Sequence, residues 1–168
     1  MDLDVCMSLL KRSAGHVTSL VQDVSDAQAR WKPAADSWSI LEVLHHLYDE
    51  EKEDFRVRLD YLLHHPQTVW PALDTEGWVI TRDYNAQEPE KILQSFLDER
   101  QASLTWLRTL DAPDWDVSRA LKTVPIRAGD MLASWVRHDQ LHLRQLINLH
   151  LAYTATQVLP YHGDYAGG

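Results

Sequence analysis

Apolar residues recur along this chain at alternating steps of three and four, the period of helices that bury one face. Leu3, Cys6, Leu10, Ser13, Val17, Leu20 and Val24 form the first such seam and predict a helix near residues 2–24. A polar stretch containing Pro33 follows. Ser39-Ile40-Leu41-Glu42 then reads as a capping box, with serine at the cap and glutamate three places on. The second helix starts there. Its apolar side runs through Ile40, Leu44, Leu47, Tyr48, Phe55, Leu59 and Leu62, and it stops before His64-His65-Pro66, where proline forbids continuation.

Residues 66–87 hold Pro71, Gly77 and three aromatics without sustained periodicity, which predicts a long connection with at most a short helical turn. Pro89 near a helix start, then Ile92, Leu93, Phe96, Leu97, Leu104 and Leu107, gives a third helix over about 88–110, its stripe interrupted by Arg100. An irregular stretch at 111–128 precedes Gly129-Asp130, read as the cap of a last helix reaching about residue 152. From Thr154 the chain carries Pro160 and three glycines and is expected to be loosely ordered. Four helical segments, no alternating strand and no internal repeat predict an all-α four-helix bundle: one domain over 1–153 with a tail over 154–168. The two long linkers leave an up-down-down-up order open beside the simple up-and-down one.

Composition narrows the function classes. A chain of 168 residues buries a core without disulfide or metal staples, so a metal here would be functional. The formal charge of −9 disfavours binding to a phosphate backbone, leaving a small molecule or a protein as partner and no nucleic acid. No apolar run approaches the roughly 20 residues that cross a bilayer, so no membrane span is expected. The single cysteine, Cys6, has no internal disulfide partner, and no leader-like segment is seen, which makes the cytoplasm the expected compartment. Nine histidines and seven tryptophans are high counts for this length, and their positions carry the chemistry.

On the last helix Met131, Trp135, His138, His142, Gln145 and Leu149 repeat at steps of four and three, so both histidines face the core. Arg137, Gln140, Arg144 and Asn148 take the opposite face. Residues four apart lie one above the other, which lets two imidazoles meet one ion. Nine scattered histidines produce such spacings by chance; burial is the stronger argument, because two buried imidazoles need partners and a shared metal supplies one. The competing reading is a pair of core histidines satisfied by neighbouring helices. An open metal site uses three protein ligands, and the second helix offers His45 and His46, between which periodicity only slightly favours His46. Glu50, one turn on, is a candidate base, fourth ligand or orienting carboxylate, or an ordinary solvated glutamate.

Trp31-Lys32-Pro33, Trp38-Ser39, His46-Leu47 with Glu50, and His138-Asp139 with His142 and Gln145 together resemble the DinB/YfiT-like metalloenzymes, in the right order from residue 28 to about 150. The resemblance implies a four-helix bundle, often a homodimer, with a divalent metal on His46, His138 and His142 and with His45 a non-ligand neighbour. Family members use low-molecular-weight thiols, as mycothiol-dependent isomerases and as bacillithiol or mycothiol S-transferases. The family name refers to damage-inducible expression and implies no DNA binding.

The chemistry expected from this is a thiol or water that loses its proton beside the cation and attacks a small electrophile. Glu50 and Asp139 are candidates for orienting a ligand or moving a proton. Arg82, Tyr84 and Arg100 are candidates for anchoring an anionic thiol cofactor. Imidazole ligands do not choose among zinc, nickel, manganese and iron. The expected function is a metal-dependent S-transferase using such a thiol on small electrophiles, with a hydrolase of a small ester, amide or lactone and a non-catalytic stress-response metal-binding protein as the alternatives. Cys6, in the core seam, reads as inert packing. His64, His65, His150 and His162 read as surface or helix-end residues. Trp31, Trp38 and Trp135 are expected between helix ends, with Trp70 and Trp78 at a pocket mouth.

Overall fold

The computed structural model describes residues 1–65, 67–120 and 124–167, so Pro66, the expected stop of the second helix, lies outside the described residues. Helix α1 (Leu3–Val21) starts on Asp2, whose carboxylate accepts the Val5 amide, and it ends earlier than the apolar period suggested. Ser25 caps a separate short helix, α2 (Asp26–Arg30), so the chain turns before Val24 can extend α1. The capping box at Ser39 and Glu42 is formed as the sequence predicts and opens α3 (Ile40–Asp49).

The second predicted helix covers its expected span, with a change of winding inside it. A six-residue π turn, Glu50–Phe55, separates α3 from α4 (Arg56–His64). Such turns widen the helix and re-aim its side chains, and here three acids, Glu50, Glu51 and Asp54, are brought into the interior. The connection after it carries α5 (Trp78–Thr81) and a 3₁₀ turn, Tyr84–Ala86, before α6 (Pro89–Leu107) with proline in its first turn.

Two short strands were not expected: Ser118–Arg119 pairs antiparallel with Ile126–Arg127. Two residues per strand are too few for alternation to be read from a sequence. Helix α7 (Ala128–Gln157) begins two residues ahead of a start capped by Gly129 and runs past 152. Gly129 is not its cap. The Asp130 carboxylate instead accepts the backbone and guanidinium N–H groups of Arg127, which occupies the cap position. Residues 154–167 are exposed.

Two apolar clusters fix the order of the long helices. One joins Val17, Val21, Leu41, Leu44, Ile92, Phe96, Leu146 and Leu149. The other joins Cys6, Leu10, Leu59, Leu62, Leu104, Leu107, Met131 and Leu132. Helices α1 and α7 therefore run from the second cluster to the first, and α3–α4 and α6 run the other way. The order is up-down-down-up, which the two long connections make possible. Between the clusters lies a buried polar layer of Ser13, Glu51, Arg100, Ser103 and Asp139.

Candidate metal centre

The polar layer adjoins a convergence of three imidazoles. His46 points inward from α3, and His138 and His142 come from consecutive turns of α7. Nε2 of His138 is 3.2 Å from Nε2 of His46 and 3.1 Å from Nε2 of His142. One ligating nitrogen from each ring lies within 4.8 Å of the others. Bonds of about 2.0–2.1 Å at a tetrahedral ion place ligand nitrogens about 3.3–3.4 Å apart, so the rings are close to the spacing a single ion requires.

The protonation of the rings supports that fit. His142 Nδ1 lies 2.8 Å from Gln145 Oε1, an acceptor, which puts the proton on Nδ1 and leaves the Nε2 lone pair directed at the other two rings. His138 Nε2 carries either one N–H or one lone pair, and His142 Nε2 offers only a lone pair, so the two contacts cannot both be ordinary hydrogen bonds. A cation between them removes that conflict. Burial, reinforced by the neighbouring His142, pushes the His46 pKa down to about 3. Burial, reinforced by His142, His46 and Arg100, pushes His138 down to about 2, and burial lowers His142 as well. The rings are thus held neutral, the form that binds metal.

Packing holds the triad in place. Trp38 meets His46 edge to face at 4.9 Å between ring centres and lies parallel to His142 at 6.3 Å. Phe55, at the end of the π turn, packs against both His138 and Trp135. The loop before α5 reaches the same place, with Thr75 beside His46 and Glu50. One side remains open. A groove of about 570 Å³ runs past His142 and Gln145, lined also by Asp36, Trp38, Asn148 and Leu149.

The remaining candidates occupy different environments. Glu50 is buried four residues beyond His46. Burial and then the adjacent Asp54 carboxyl raise its pKa to about 8, so it carries a proton at neutral pH; Asp54 is in turn held by Arg58 at 2.7 Å. Asp139, beside His138 in sequence, directs both oxygens to Arg100. Burial raises its pKa despite that partner.

Arg100 is fully engaged inside the protein and offers nothing to a cofactor, which corrects its assignment as a thiol anchor. Tyr84 is buried and its hydroxyl donates to Asp49, at 2.5 Å. Burial and that bond raise its pKa. Arg82 pairs with Glu53 through two N–H groups, pairs with Asp49 at 2.8 Å, and lies over the Trp78 ring. These two residues fasten the α5 segment to α3 and do not line the groove beside His142.

His45 is as buried as His46 but on another side of α3, stacked on Tyr84 at 4.0 Å and 3.5 Å from Asp49. His150 is not a free surface residue. Its Nε2 donates to the Leu20 carbonyl and its Nδ1 meets the Gln28 amide, tying α7 to α1 and α2. Cys6 is buried, and burial raises its thiol pKa, as expected of a packing cysteine. Trp70 lies beneath Arg58 and Arg119, so the tryptophan at the groove is Trp38 instead. Asn148, assigned to the outer face of α7, also lines the groove, because the loop holding Asp36 curls over that face. The Trp31-Lys32-Pro33 stretch secures this loop, with Lys32 2.6 Å from the Glu42 carboxylate.

A four-helix bundle in up-down-down-up order with three histidines converging between its helices has the frame of a metal-binding protein. The DinB superfamily model matches residues 9–146, and the chain belongs to that superfamily. Among the solved structures that share the fold are two with described roles. YfiT from Bacillus subtilis, described as a probable metal-dependent hydrolase with an unusual four-helix bundle topology, aligns with a TM-score of 0.77 at 19% identity over 88% of this chain and 85% of its own. A mutant of the mycothiol-dependent maleylpyruvate isomerase aligns with a TM-score of 0.67 at 11% identity over 87% of this chain and 61% of its own. No curated protein sequence matches the chain.

Proposed function

We propose that the protein is a metal-dependent enzyme that activates a nucleophile against a small electrophilic substrate, with hydrolysis of an ester, amide or lactone as the reaction best supported. The observation that carries the reading is the convergence of three neutral Nε2 atoms beside an open groove. His46, His138 and His142 would hold a divalent ion such as zinc, nickel, manganese or iron, and Gln145 orients His142 for it. When bound, that ion supplies Lewis acidity, lowering the pKa of a nucleophile and polarising an electrophile.

The chain's own residues divide the rest of the work. Trp38 and Asn148 wall the groove and position a substrate against His142. Glu50, protonated near neutrality because burial and Asp54 raise its pKa, would give a proton to a leaving group. Hydrolysis is preferred to thiol transfer because Arg82, Tyr84 and Arg100, the side chains suited to an anionic thiol, are held by Glu53, Asp49, Glu51 and Asp139.

The second reading is S-transfer from a low-molecular-weight thiol of the bacillithiol or mycothiol type, favoured by the fold shared with a mycothiol-dependent isomerase. Metal-loaded protein assayed on a panel of esters, amides and lactones, and on small electrophiles with and without each thiol, separates the two. Turnover without thiol, abolished in His142→Ala, supports hydrolysis. Turnover only with thiol overturns it in favour of transfer. An intact metal site with neither activity leaves the non-catalytic stress-response role.

Two further assignments belong to the same reading. The protein works in the cytoplasm, in line with its lone reduced cysteine. It pairs as a homodimer, for which exposed Ile147, Leu151 and Leu159 offer apolar surface on α7 and just beyond it.

A further inference from the structure

Arg100 interrupts the apolar stripe of α6, and every N–H it owns is used. Nε and one Nη2 hydrogen reach the two oxygens of Glu51, both at 2.8 Å. The other Nη2 hydrogen and one of Nη1 reach Asp139, at 3.0 and 2.6 Å. The last donates to the Leu10 carbonyl at 2.7 Å. A guanidinium has five donors, so none is left over. The side chain is 2% exposed and its two carboxylates 1%, which removes them from solvent screening.

The two carboxylates belong to the helices that carry the triad. Glu51 lies in the π turn five residues beyond His46, and Asp139 follows His138 directly. Trp135, on the same helix as His138, adds an N–H to Glu51 at 2.8 Å. We infer that Arg100 is a positioning residue for the metal centre, a rigid cross-link that holds His46 at the distance from His138 and His142 that one ion needs. The inference rests on the metal-binding reading above.

A purely stabilising role explains the cluster poorly. Taking one cation and two carboxylates out of water costs more than packing apolar side chains of the same volume, and such clusters are often replaced by apolar residues without loss of stability. What apolar packing does not supply is fixed direction, which four charge-assisted bonds from one planar group do. The cluster also carries one more negative than positive charge, which favours a dication beside it.

The test is calorimetric titration with Zn²⁺ and Ni²⁺, with thermal unfolding measured in parallel. The proteins are the unmodified chain, Arg100→Lys, the apolar triple variant Glu51→Leu/Arg100→Met/Asp139→Leu, and Leu107→Ala as a control for lost stability. Arg100→Lys keeps the charge but cannot grip both carboxylates. We expect it and the triple variant to bind metal about 10–100-fold more weakly, as losses of supporting partners do, with the triple variant as heat-stable as the parent. Leu107→Ala melts lower and keeps its affinity within about 2-fold. A folded triple variant that binds metal as the parent does overturns the inference. If the triple variant does not fold, Arg100→Lys and Glu51→Gln decide the matter by the same criterion. Failure of the metal reading itself is seen in the unmodified chain alone, as no heat and no bound ion.

Discussion

Gln145 Oε1 accepts the Nδ1 proton of His142 across 2.8 Å, and this one bond decides which nitrogen of His142 faces the other two rings. Replacing Gln145 by leucine frees the ring to take the other tautomer and to rotate. Metal affinity measured by competition with a chelator dye should fall about 10–100-fold, the range for lost partners of ligand histidines. Gln145→Glu keeps an acceptor and should bind at least as tightly as the parent. Equal affinity in the leucine variant would show that Trp38 packing alone orients the ring.

Acid should unfold the metal-stripped protein earlier than a comparable bundle. His46 and His138 have folded pKa values of about 3 and about 2, below the roughly 6.5 of an unfolded histidine. Between these values the unfolded chain binds protons that the folded chain refuses. The histidines' contribution to stability is therefore complete above about pH 7 and declines as pH falls from 6.5 toward 3. Urea unfolding at pH 7.5, 6.0 and 5.0 should show midpoints that drop steadily, with a flatter profile in the His46→Gln/His138→Gln double variant. Parallel profiles would mean that the rings are not held neutral.

Glu50 acts in the opposite direction. Its pKa is raised to about 8, against roughly 4.3 in an unfolded chain, so the stability it contributes is present below pH 4 and is lost as pH rises through 8. Glu50→Gln keeps the hydrogen-bonding shape without the titration. At pH 8 the variant should melt several degrees above the parent, while at pH 4 the two should coincide. If Glu50 is the proton donor proposed here, the same variant loses most of its turnover and keeps its metal.

The sequence made some of this legible and concealed the rest for physical reasons. Short-range rules held: the capping box at Ser39 and Glu42 is formed, because a cap is decided within four residues. The seam through Trp135, His138, His142 and Leu149 gave the face of α7 correctly, because one helical period carries it. His46 could not be separated from His45 by periodicity, since both are buried and only the partners differ, imidazoles for one and Tyr84 with Asp49 for the other. Arg100 was visible as a break in a stripe and was assigned to a thiol cofactor. Its meaning depends on Glu51 and Asp139, 49 and 39 residues away. Thr75, from a stretch without periodicity, reaches the site only by tertiary folding.

The groove past His142 offers a separation of binding from metal retention. Asn148→Trp places a large side chain in it without replacing a ligand histidine. The variant should hold metal as the parent does and lose at least about 10-fold in kcat/KM, mainly through KM, consistent with a substrate that binds there. Unchanged kinetics would direct the search for the substrate path to the Thr75 side of the triad.

The central claim is that His46, His138 and His142 bind one divalent ion, and metal analysis of purified protein beside His142→Ala addresses it most directly. Protein expressed with zinc, nickel and manganese supplied should carry close to one ion per chain, and His142→Ala should carry little or none while remaining folded. A parent free of metal under those conditions, or a metal content unmoved by the substitution, would contradict it.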